Sequence, residues 1–149
     1  HIVRTMMNHS VVLQKDYAEL PPVRCHPKQL EQVFMNLLVN AYQAIEARAA
    51  RDGGGTGLIL VGTAIRNDGV VISVSDDGAG ISPEDADRIF EPFFTTKEVG
   101  EGTGLGLSTS FEIVRRHGGT IHALPRHGGG TTFEVYLPQQ GPDGRSAQP

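Results

Sequence analysis

Two stretches of the chain repeat apolar residues at the spacing of one helical face. Between Lys28 and about Arg48 the apolar positions recur at i, i+3, i+4 and i+7, and they are Leu30, Val33, Phe34, Leu37, Leu38, Ala41 and Ile45. The second stretch runs from near Gly104 to a glycine pair at 118–119, a typical helix end, and its apolar face is Leu107, Phe111 and Val114. The pattern therefore predicts two long helices, each with one face available for a core.

Five apolar, β-branched runs lie before, between and after these helices and predict strands. They cover Val11 to near Pro21, 58–65, 70–75, 120–123 and 131–137. The second and third runs are joined by Asn67-Asp68-Gly69, and the last two are joined across Gly128-Gly129-Gly130; both joints are turn sequences. The sequence therefore predicts two antiparallel hairpins.

A short helix and a loop are predicted between the hairpins. Ser82-Pro83-Glu84-Asp85 is typical of a helix start, because serine caps the first turn and proline suits its first position. We expect this helix to end near Phe90, and residues 91–103, which have no periodicity, to form a loop of functional length. Because strands and helices do not alternate regularly, the predicted fold class is α+β, a two-layer sandwich with helices on one face of a sheet.

Composition narrows the class of protein. The 149 residues suffice for one domain with one core, and 38% apolar and 20% charged residues fit a globular protein. The net charge of −4 argues against nucleic acid as the main partner, and no apolar run approaches the roughly 20 residues that span a bilayer. The single cysteine, Cys25, excludes an internal disulfide and a cysteine-rich zinc site. We expect a cytoplasmic location.

The first residues that suggest chemistry are Asn36 and Asn40, four positions apart on the predicted long helix. At 100° per residue their side chains point within about 40° of each other, at the border of the apolar face. Amide oxygens are neutral, hard ligands that suit an Mg²⁺ ion which also keeps waters and phosphate oxygens. Asparagine is a poor residue inside a helix, so two on one face indicate a function; two surface or capping asparagines are the alternative.

A second candidate is the sequence Asp76-Asp77-Gly78-Ala79-Gly80-Ile81, which directly follows an apolar strand. A carboxylate at a buried strand end can accept a hydrogen bond from an exocyclic amine, and adenine offers such an amine at N6. Glycines after the carboxylate let a flat ring lie against the backbone. The alternative is an ordinary acidic turn, since Asp-Gly is a common turn pair.

A third candidate runs from loop into helix as Gly100-Glu101-Gly102-Thr103-Gly104-Leu105-Gly106-Leu107. Free N–H groups at a helix start, together with the helix dipole, bind anions, and glycines let phosphates approach closely. Lys97 lies just upstream and can add a positive charge on the same phosphates. The alternative for Lys97 is a solvated loop lysine.

Several familiar sites are excluded by inspection. The pattern G-x-x-x-x-G-K-[ST] of phosphate-binding loops is absent, and neither G-x-G-x-x-G nor H-E-x-x-H occurs. His117, His122 and His127 fall on a helix cap, a strand and a loop, which does not focus them on one metal. We interpret these three histidines as structural or surface residues.

Taken in order, these sequences resemble the histidine-kinase ATPase family, a GHKL family with the Bergerat fold. Asn36-Leu37-Leu38-Val39-Asn40-Ala41 is similar to its asparagine box, and residues 76–81 are similar to its first glycine box. The segment IFEPFFTTK at 89–97 is similar to the phenylalanine box, and GTGLGLS at 102–108 to the second glycine box. Four boxes in one order are far more specific than any single box.

The resemblance covers about residues 8–138 and implies how the chain is organised. We expect residues 1–7 to be the remnant of a linker or preceding helix, and residues 139–149 to be a disordered tail. The implied sheet is mixed and mostly antiparallel, and residues 82–103 would form a mobile lid over the nucleotide. The sequence Phe-Phe-Thr-Thr-Lys at 93–97 resembles the nitrogen-regulation subgroup of the family.

The resemblance implies roles for these residues in binding ATP and Mg²⁺. Asn40 would hold Mg²⁺, Asn36 would contact phosphate or metal, and Asp76 would accept a hydrogen bond from adenine N6. Lys97 would reach the triphosphate and completes the implied catalytic set with the two asparagines. Gln43 stands where many relatives carry a lysine near phosphate. The other implied nucleotide-binding residues are Gly78, Gly80, Ile81, Thr95, Thr96, Gly102, Thr103, Gly104, Leu105, Gly106, Leu107 and Thr131.

The implied activity is that of a protein-histidine kinase, which transfers the γ-phosphoryl group of ATP to a histidine on another domain. Acceptor histidines of the family are followed by an acid and, several residues later, a proline, and His1, His9 and His26 lack that context. The implied partners are a dimerisation and phosphoacceptor domain of the same protein and a response regulator, with a homodimeric full-length protein. We expect this domain itself to make no membrane contact.

Three other functions stay open from the sequence. A GHKL ATPase of another class, such as a mismatch-repair, gyrase-type or heat-shock chaperone domain, would carry a glutamate one helical turn before the magnesium asparagine, where this chain has Asn36. A serine-directed kinase of the anti-sigma type is compatible with Asn36. A non-catalytic nucleotide-sensing module also fits an isolated domain.

Overall fold

The computed structural model describes residues 11–94 and 106–140, and statements on structure below refer to these residues. In this part of the chain five strands form one sheet: β1 Val11–Asp16, β2 Gly57–Arg66, β3 Gly69–Asp76, β4 Thr120–Pro125 and β5 Thr131–Pro138. Three helices accompany them: α1 Pro27–Asp52, α2 Pro83–Ala86 and α3 Gly106–Arg116. Every predicted strand and helix is present, and the differences lie in their ends.

The sheet has the strand order β1-β2-β3-β5-β4. The strands β1 and β2 are parallel, and the other three neighbouring pairs are antiparallel. The helix α1 packs on β2 and β3, while α3 packs on β4 and β5 and against α1. The prediction of an α+β two-layer sandwich with a mixed sheet is therefore confirmed.

The core lies between one face of the sheet and the two long helices. On the sheet, Val74 pairs with Phe133, and Ile121 pairs with Val135; all four side chains are buried. Facing them is the apolar stripe of α1, of which Leu30, Val33, Leu37, Ala41 and Ile45 are buried. The helical periodicity of the sequence thus predicts the core face of α1 correctly.

The helix α1 extends one turn beyond its predicted end at Arg48. Ala49, Ala50 and Arg51 are good helix formers, and the helix ends only before Gly53, whose φ of 82° is left-handed. The strand β1 is shorter than predicted, since it ends at Asp16 where its pairing with β2 stops at Gly62.

The helix α2 is also shorter than predicted, with only four residues. Ser82 caps it as expected, because its side chain accepts a hydrogen bond from the N–H of Asp85. Beyond it, Arg88 N–H donates to the Asp85 carbonyl, and Glu91 N–H donates to that of Arg88. These i→i+3 bonds form consecutive tight turns instead of an α-helix up to Phe90.

A buried histidine joins the ends of the two long helices. His117 follows α3 and is 1% exposed. Its Nδ1 lies 2.8 Å from the carbonyl of Ile113, and its Nε2 accepts a hydrogen bond of 3.1 Å from the backbone N–H of His26, which precedes α1. An acceptor at Nε2 requires the neutral ring with the proton on Nδ1. His117 is therefore structural, one of the two roles that the sequence predicted.

No helix among residues 11–94 and 106–140 is long and apolar enough to cross a membrane.

Candidate functional site

A buried carboxyl group ends the central strand β3. Asp76 is 1% exposed, and its Oδ1 accepts a hydrogen bond of 2.8 Å from the N–H of Gly78. Its Oδ2 is also buried, but it has no hydrogen-bond partner within the part of the chain that the structure describes. A buried acceptor without a partner is costly, which is a reason to expect that a ligand supplies the donor.

Burial raises the pKa of the Asp76 carboxyl from 3.8 to about 6, because the charged form loses water. The backbone N–H groups of Gly78 and Thr131 and the charge of Arg126 oppose this rise, while the charge of Asp77 adds to it. The carboxyl is therefore still mainly ionised at neutral pH, and it can act as a hydrogen-bond acceptor on both oxygens.

The backbone after Asp76 is held against α1. The N–H of Ala79 donates to the carbonyl of Ala44, and a Cβ placed on Gly78 would lie 2.5 Å from the Ala44 carbonyl carbon. Room for a flat ring is the expected reason for glycine at position 78, but contact with α1 already requires it. Gly80 has a φ of +80°, a left-handed conformation that favours glycine.

The glycine turn of the β4–β5 hairpin packs against the backbone of Asp76. A Cβ on Gly130, whose φ is +100°, would overlap the carbonyl oxygen of Asp76. The next residue, Thr131, is 4% exposed and pairs with Asp76 in the β3–β5 register. Ile81, which follows Gly80, is half-buried against the core. Gly78 and Thr131 thus lie next to the Asp76 carboxyl, and Gly80 lies near Gly130.

Asp77, next to Asp76, has a different environment and a structural task. Its Oδ1 accepts a hydrogen bond of 2.9 Å from the N–H of Leu58 and lies 3.2 Å from the Arg48 guanidinium. Arg48 also donates to the carbonyls of Asp77 and Thr56. These contacts tie α1 to the open end of the β2–β3 hairpin, so the Oδ1 of Asp77 has a structural role.

The predicted asparagines lie on the face of α1 that leads to this carboxyl. Asn36, Asn40 and Ala44 follow one another at intervals of four residues, so the contact with the Asp76 loop lies one turn beyond Asn40. Both asparagines are half-buried, as is Gln43. The Asn40 side chain makes no hydrogen bond to the residues described here, which leaves its oxygen available as a ligand.

Asn36 also connects α1 to the start of α3. Its Nδ2 donates to the carbonyl of Gly106 and to the Oγ of Ser110, each at 3.1 Å. Gly106 is the first residue of α3, and Leu107 packs against the core. The described part of the third predicted segment, which starts at Gly106, therefore lies next to Asn36 of the first candidate pair.

Seven predicted site residues lie outside the described residues: Thr95, Thr96, Lys97, Gly102, Thr103, Gly104 and Leu105.

Within the described ranges, no group of three or more His, Cys, Asp or Glu side chains is arranged to hold a metal ion. The amide oxygens of Asn36 and Asn40 are hard ligands, which fit a divalent cation that also keeps water and phosphate oxygens.

Three residues near the site were not predicted from the sequence. Ser110 contacts Asn36, Arg126 acts electrostatically on Asp76, and Gly130 packs on the Asp76 backbone. The glycine run at 128–130 gave a signal, but it was interpreted only as a hairpin joint. Nothing in the sequence pattern distinguishes Ser110 from an ordinary helix serine, because its contact depends on how α1 and α3 pack.

The chain belongs to the family described as histidine kinase-, DNA gyrase B-, and HSP90-like ATPase, whose model matches residues 25–141. Its members are ATP-binding domains, and the four boxes predicted from the sequence fall within the matched range. The family prediction is therefore confirmed.

Within this family the similar proteins are histidine kinases. The sensor histidine kinase ZraS of Escherichia coli (strain K12) is 40% identical over 149 aligned positions, which cover 91% of this chain and 30% of ZraS. The catalytic domain of histidine kinase ThkA has a TM-score of 0.73 and 32% identity, over 93% of this chain and 83% of that domain. Full-length ShkA in complex with AMPPNP has a TM-score of 0.74 and 25% identity, over 92% of this chain and 28% of ShkA.

The chain spans about a third of the length of ZraS and a smaller share of the length of other curated relatives. None of these similarities tests the nitrogen-regulation subgroup, which stays a prediction. The same holds for the division of the chain at residues 8 and 138 and for the roles of the individual site residues.

Proposed function

We propose that this chain is the catalytic domain of a sensor histidine kinase, which binds Mg·ATP and transfers the γ-phosphoryl group to a histidine of a separate domain. The free, buried oxygen of Asp76 carries the proposal. An adenine N6 amine can donate to this oxygen, whereas guanine presents a carbonyl oxygen at the equivalent ring position. The similar ShkA was solved in complex with AMPPNP, which supports an adenine nucleotide here.

Asn40 and Asn36 would hold Mg²⁺ and the phosphates at the other end of the site. Mg²⁺ supplies positive charge that neutralises phosphate oxygens during transfer. The span from Asn36 to Ala44 is about 12 Å along the helix axis, at 1.5 Å per residue. One end of this span meets the start of α3, where N–H groups favour phosphate, and the other end meets the Asp76 loop. That arrangement suits an extended nucleotide with its base at Asp76.

The remaining nucleotide contacts belong to the same proposal. Gly78, Gly80, Ile81 and Thr131 would line the base, and Gln43, Gly106 and Leu107 would lie near the phosphates. Thr95, Thr96, Lys97, Gly102 and Thr103 would contribute from the proposed lid, and Gly104 and Leu105 from the residues that follow it. Lys97 would add its charge to the transferring phosphoryl group.

Transfer to a protein is favoured over hydrolysis by the chemistry of Asn36. Its amide cannot take a proton from water at neutral pH, and its Nδ2 is already engaged by Gly106 and Ser110. A GHKL ATPase of another class would need a glutamate at this position. The acceptor is therefore proposed to be a histidine on a dimerisation domain of the same protein, with a response regulator downstream.

The proposed parent protein is a homodimer whose catalytic domain lies in the cytoplasm and makes no direct membrane contact. Sequence identity to sensor histidine kinases over most of this chain supports that setting. The other domains of such a protein would supply both the signal input and the phosphoacceptor.

Replacement of Asp76 by alanine tests the proposal most directly. We expect ATP affinity, measured by calorimetry with Mg²⁺ present, to fall by about 10- to 100-fold, the size typical of a hydrogen bond to a charged group. GTP binding should be weak in the wild-type chain and change little in the variant.

The matched control is Asp77→Asn, a change in the neighbouring carboxylate. It removes the ion pair with Arg48 but keeps an oxygen for the Leu58 N–H, so ATP affinity should stay near the wild-type value. If the wild-type chain does not bind ATP, or if Asp76→Ala binds it equally well, the proposed function is wrong.

A further inference from the structure

Ser110 is a fully buried hydroxyl group at the contact between α1 and α3. It is 0% exposed, its Oγ donates to the carbonyl of Gly106 at 2.9 Å, and it accepts a hydrogen bond of 3.1 Å from Asn36 Nδ2. Asn36 Nδ2 donates to the Gly106 carbonyl as well. Three groups on two helices thus form one closed hydrogen-bonded triangle.

This triangle decides which way the Asn36 amide faces. A carbonyl oxygen only accepts hydrogen bonds, so the atom of Asn36 that faces Gly106 must be the nitrogen. Ser110 donates its single proton to the same carbonyl, and its oxygen accepts a hydrogen bond from Asn36 Nδ2. Nδ2 is thereby held at the start of α3, and Oδ1, 4.0 Å from where a Cβ on Gly106 would lie, has no hydrogen-bond partner among the described residues.

We propose that Ser110 is a positioning residue, which fixes the Asn36 amide so that Oδ1 is presented to the metal ion bound with the nucleotide. The inference rests on the proposed function, since it assigns Ser110 a task in that site. Without the Ser110 hydroxyl, Asn36 Nδ2 loses one of its two acceptors, and the amide can rotate away from the orientation that presents oxygen. Ser110 itself is not placed to touch the nucleotide, because it is fully buried and its hydroxyl faces Gly106 and Asn36.

The triangle is only one of the contacts that hold the two helices together. The opposite ends of α1 and α3 are joined by His117, and apolar packing buries Val33, Ile113 and Val114 between helices and sheet. Loss of one hydroxyl from Ser110 leaves all of these contacts in place. A Ser110→Ala variant is therefore expected to fold and to keep the Asp76 end of the site intact.

The test compares ATP affinity with Mg²⁺ and with a chelator in wild type, Ser110→Ala, Asn36→Ala and the double variant. Ser110→Ala should weaken binding of Mg·ATP by about fivefold, the effect of one hydrogen bond, and leave metal-free ATP unchanged. In the Asn36→Ala background, Ser110→Ala should have no further effect, because the residue that it positions is gone.

Ser75→Ala is the matched control, since Ser75 is another buried serine whose hydroxyl has a single side-chain partner, Thr132. Its affinity for Mg·ATP should equal that of wild type. Equal weakening of Mg·ATP and metal-free ATP by Ser110→Ala, no weakening at all, or a full effect in the Asn36→Ala background would each overturn the inference. Failure of the wild-type chain to bind ATP would instead refute the proposed function.

Discussion

Asp76 is the residue at which the demands of folding and binding conflict. A carboxylate at this depth destabilises the fold, and its pKa of about 6 instead of 3.8 measures that cost. The difference corresponds to about 3 kcal/mol in favour of the protonated form, at 1.36 kcal/mol per pKa unit. A ligand that donates to Oδ2 would offset part of this cost, so the same residue that weakens the free domain would strengthen the complex.

The raised pKa of Asp76 predicts a pH dependence of stability. The folded pKa lies above the unfolded one, so Asp76 begins to destabilise the fold as the pH rises through 3.8 and reaches its full effect above 6. The variant Asp76→Asn lacks this dependence. Its unfolding free energy relative to wild type should therefore increase by about 3 kcal/mol between pH 3.5 and 7.5, measured by urea denaturation. A difference that does not change with pH would contradict the assigned pKa.

The site residues differ in how well they can be predicted from the sequence. Asp76 and the two asparagines were predictable, because a carboxylate after an apolar strand and paired amides on one helix face are local patterns. The requirement for glycine at position 78 was predicted for another reason, since its contact with Ala44 joins residues 34 positions apart. Ser110 was not predictable at all, because its partner is set by helix packing and not by spacing.

At the scale of elements, α1 and α3 are joined at two places, one near each end of α3. At one end Asn36 donates to Gly106 and Ser110, and at the other the His26 backbone donates to His117. The sequence predicts both helices but neither joint, because each hydrogen bond links residues 70 or more positions apart. It also misjudged helix ends: good helix formers extend α1 to Asp52, and tight turns replace α2 after Ala86.

The His117 joint predicts a loss of stability without a loss of the site. His117→Phe keeps an aromatic ring but removes both hydrogen bonds, leaving the His26 N–H and the Ile113 carbonyl without these partners. We expect unfolding by urea at pH 7.5 to require about 2–4 kcal/mol less free energy. ATP affinity of the folded variant should stay near wild type.

The control for that change is His122→Phe on the exposed face of β4. This substitution should alter stability by no more than about 0.5 kcal/mol. If His117→Phe were as stable as His122→Phe, the buried histidine would not hold the helices together.

At the scale of the whole molecule, one face of the sheet carries the helices and the described part of the site. At one edge of the sheet, β1 pairs in parallel with β2, although the two strands are far apart in sequence. Hydrophobic periodicity predicts the helices and hairpins, but it contains no information on the order β1-β2-β3-β5-β4. The family resemblance implies a mixed, mostly antiparallel sheet, and the strand order itself is seen only in the structure.

The proposed division of labour between domains predicts transfer in trans. With ATP labelled at the γ-phosphate, the chain alone should acquire no stable label on histidine, because it lacks a suitable acceptor. A phosphoacceptor domain of a sensor histidine kinase, supplied separately, should become labelled in an acid-labile form, and Asn40→Ala should abolish this labelling. Stable label on the isolated chain, or rapid ATP hydrolysis without any acceptor, would argue for one of the alternative functions.

Because Gly78 and Ala79 contact Ala44, the helix α1 sets the distance between the two ends of the site. The eight residue steps from Asn36 to Ala44 fix the separation of the two ends, and a helix is far stiffer than the loops on either side. A change in the loop at residues 53–55, where added side chains would meet nothing within 4 Å, would leave this distance unchanged. A single residue inserted or deleted between Asn36 and Ala44 would rotate one end of the site by about 100° relative to the other. The two ends would then no longer face the same ligand.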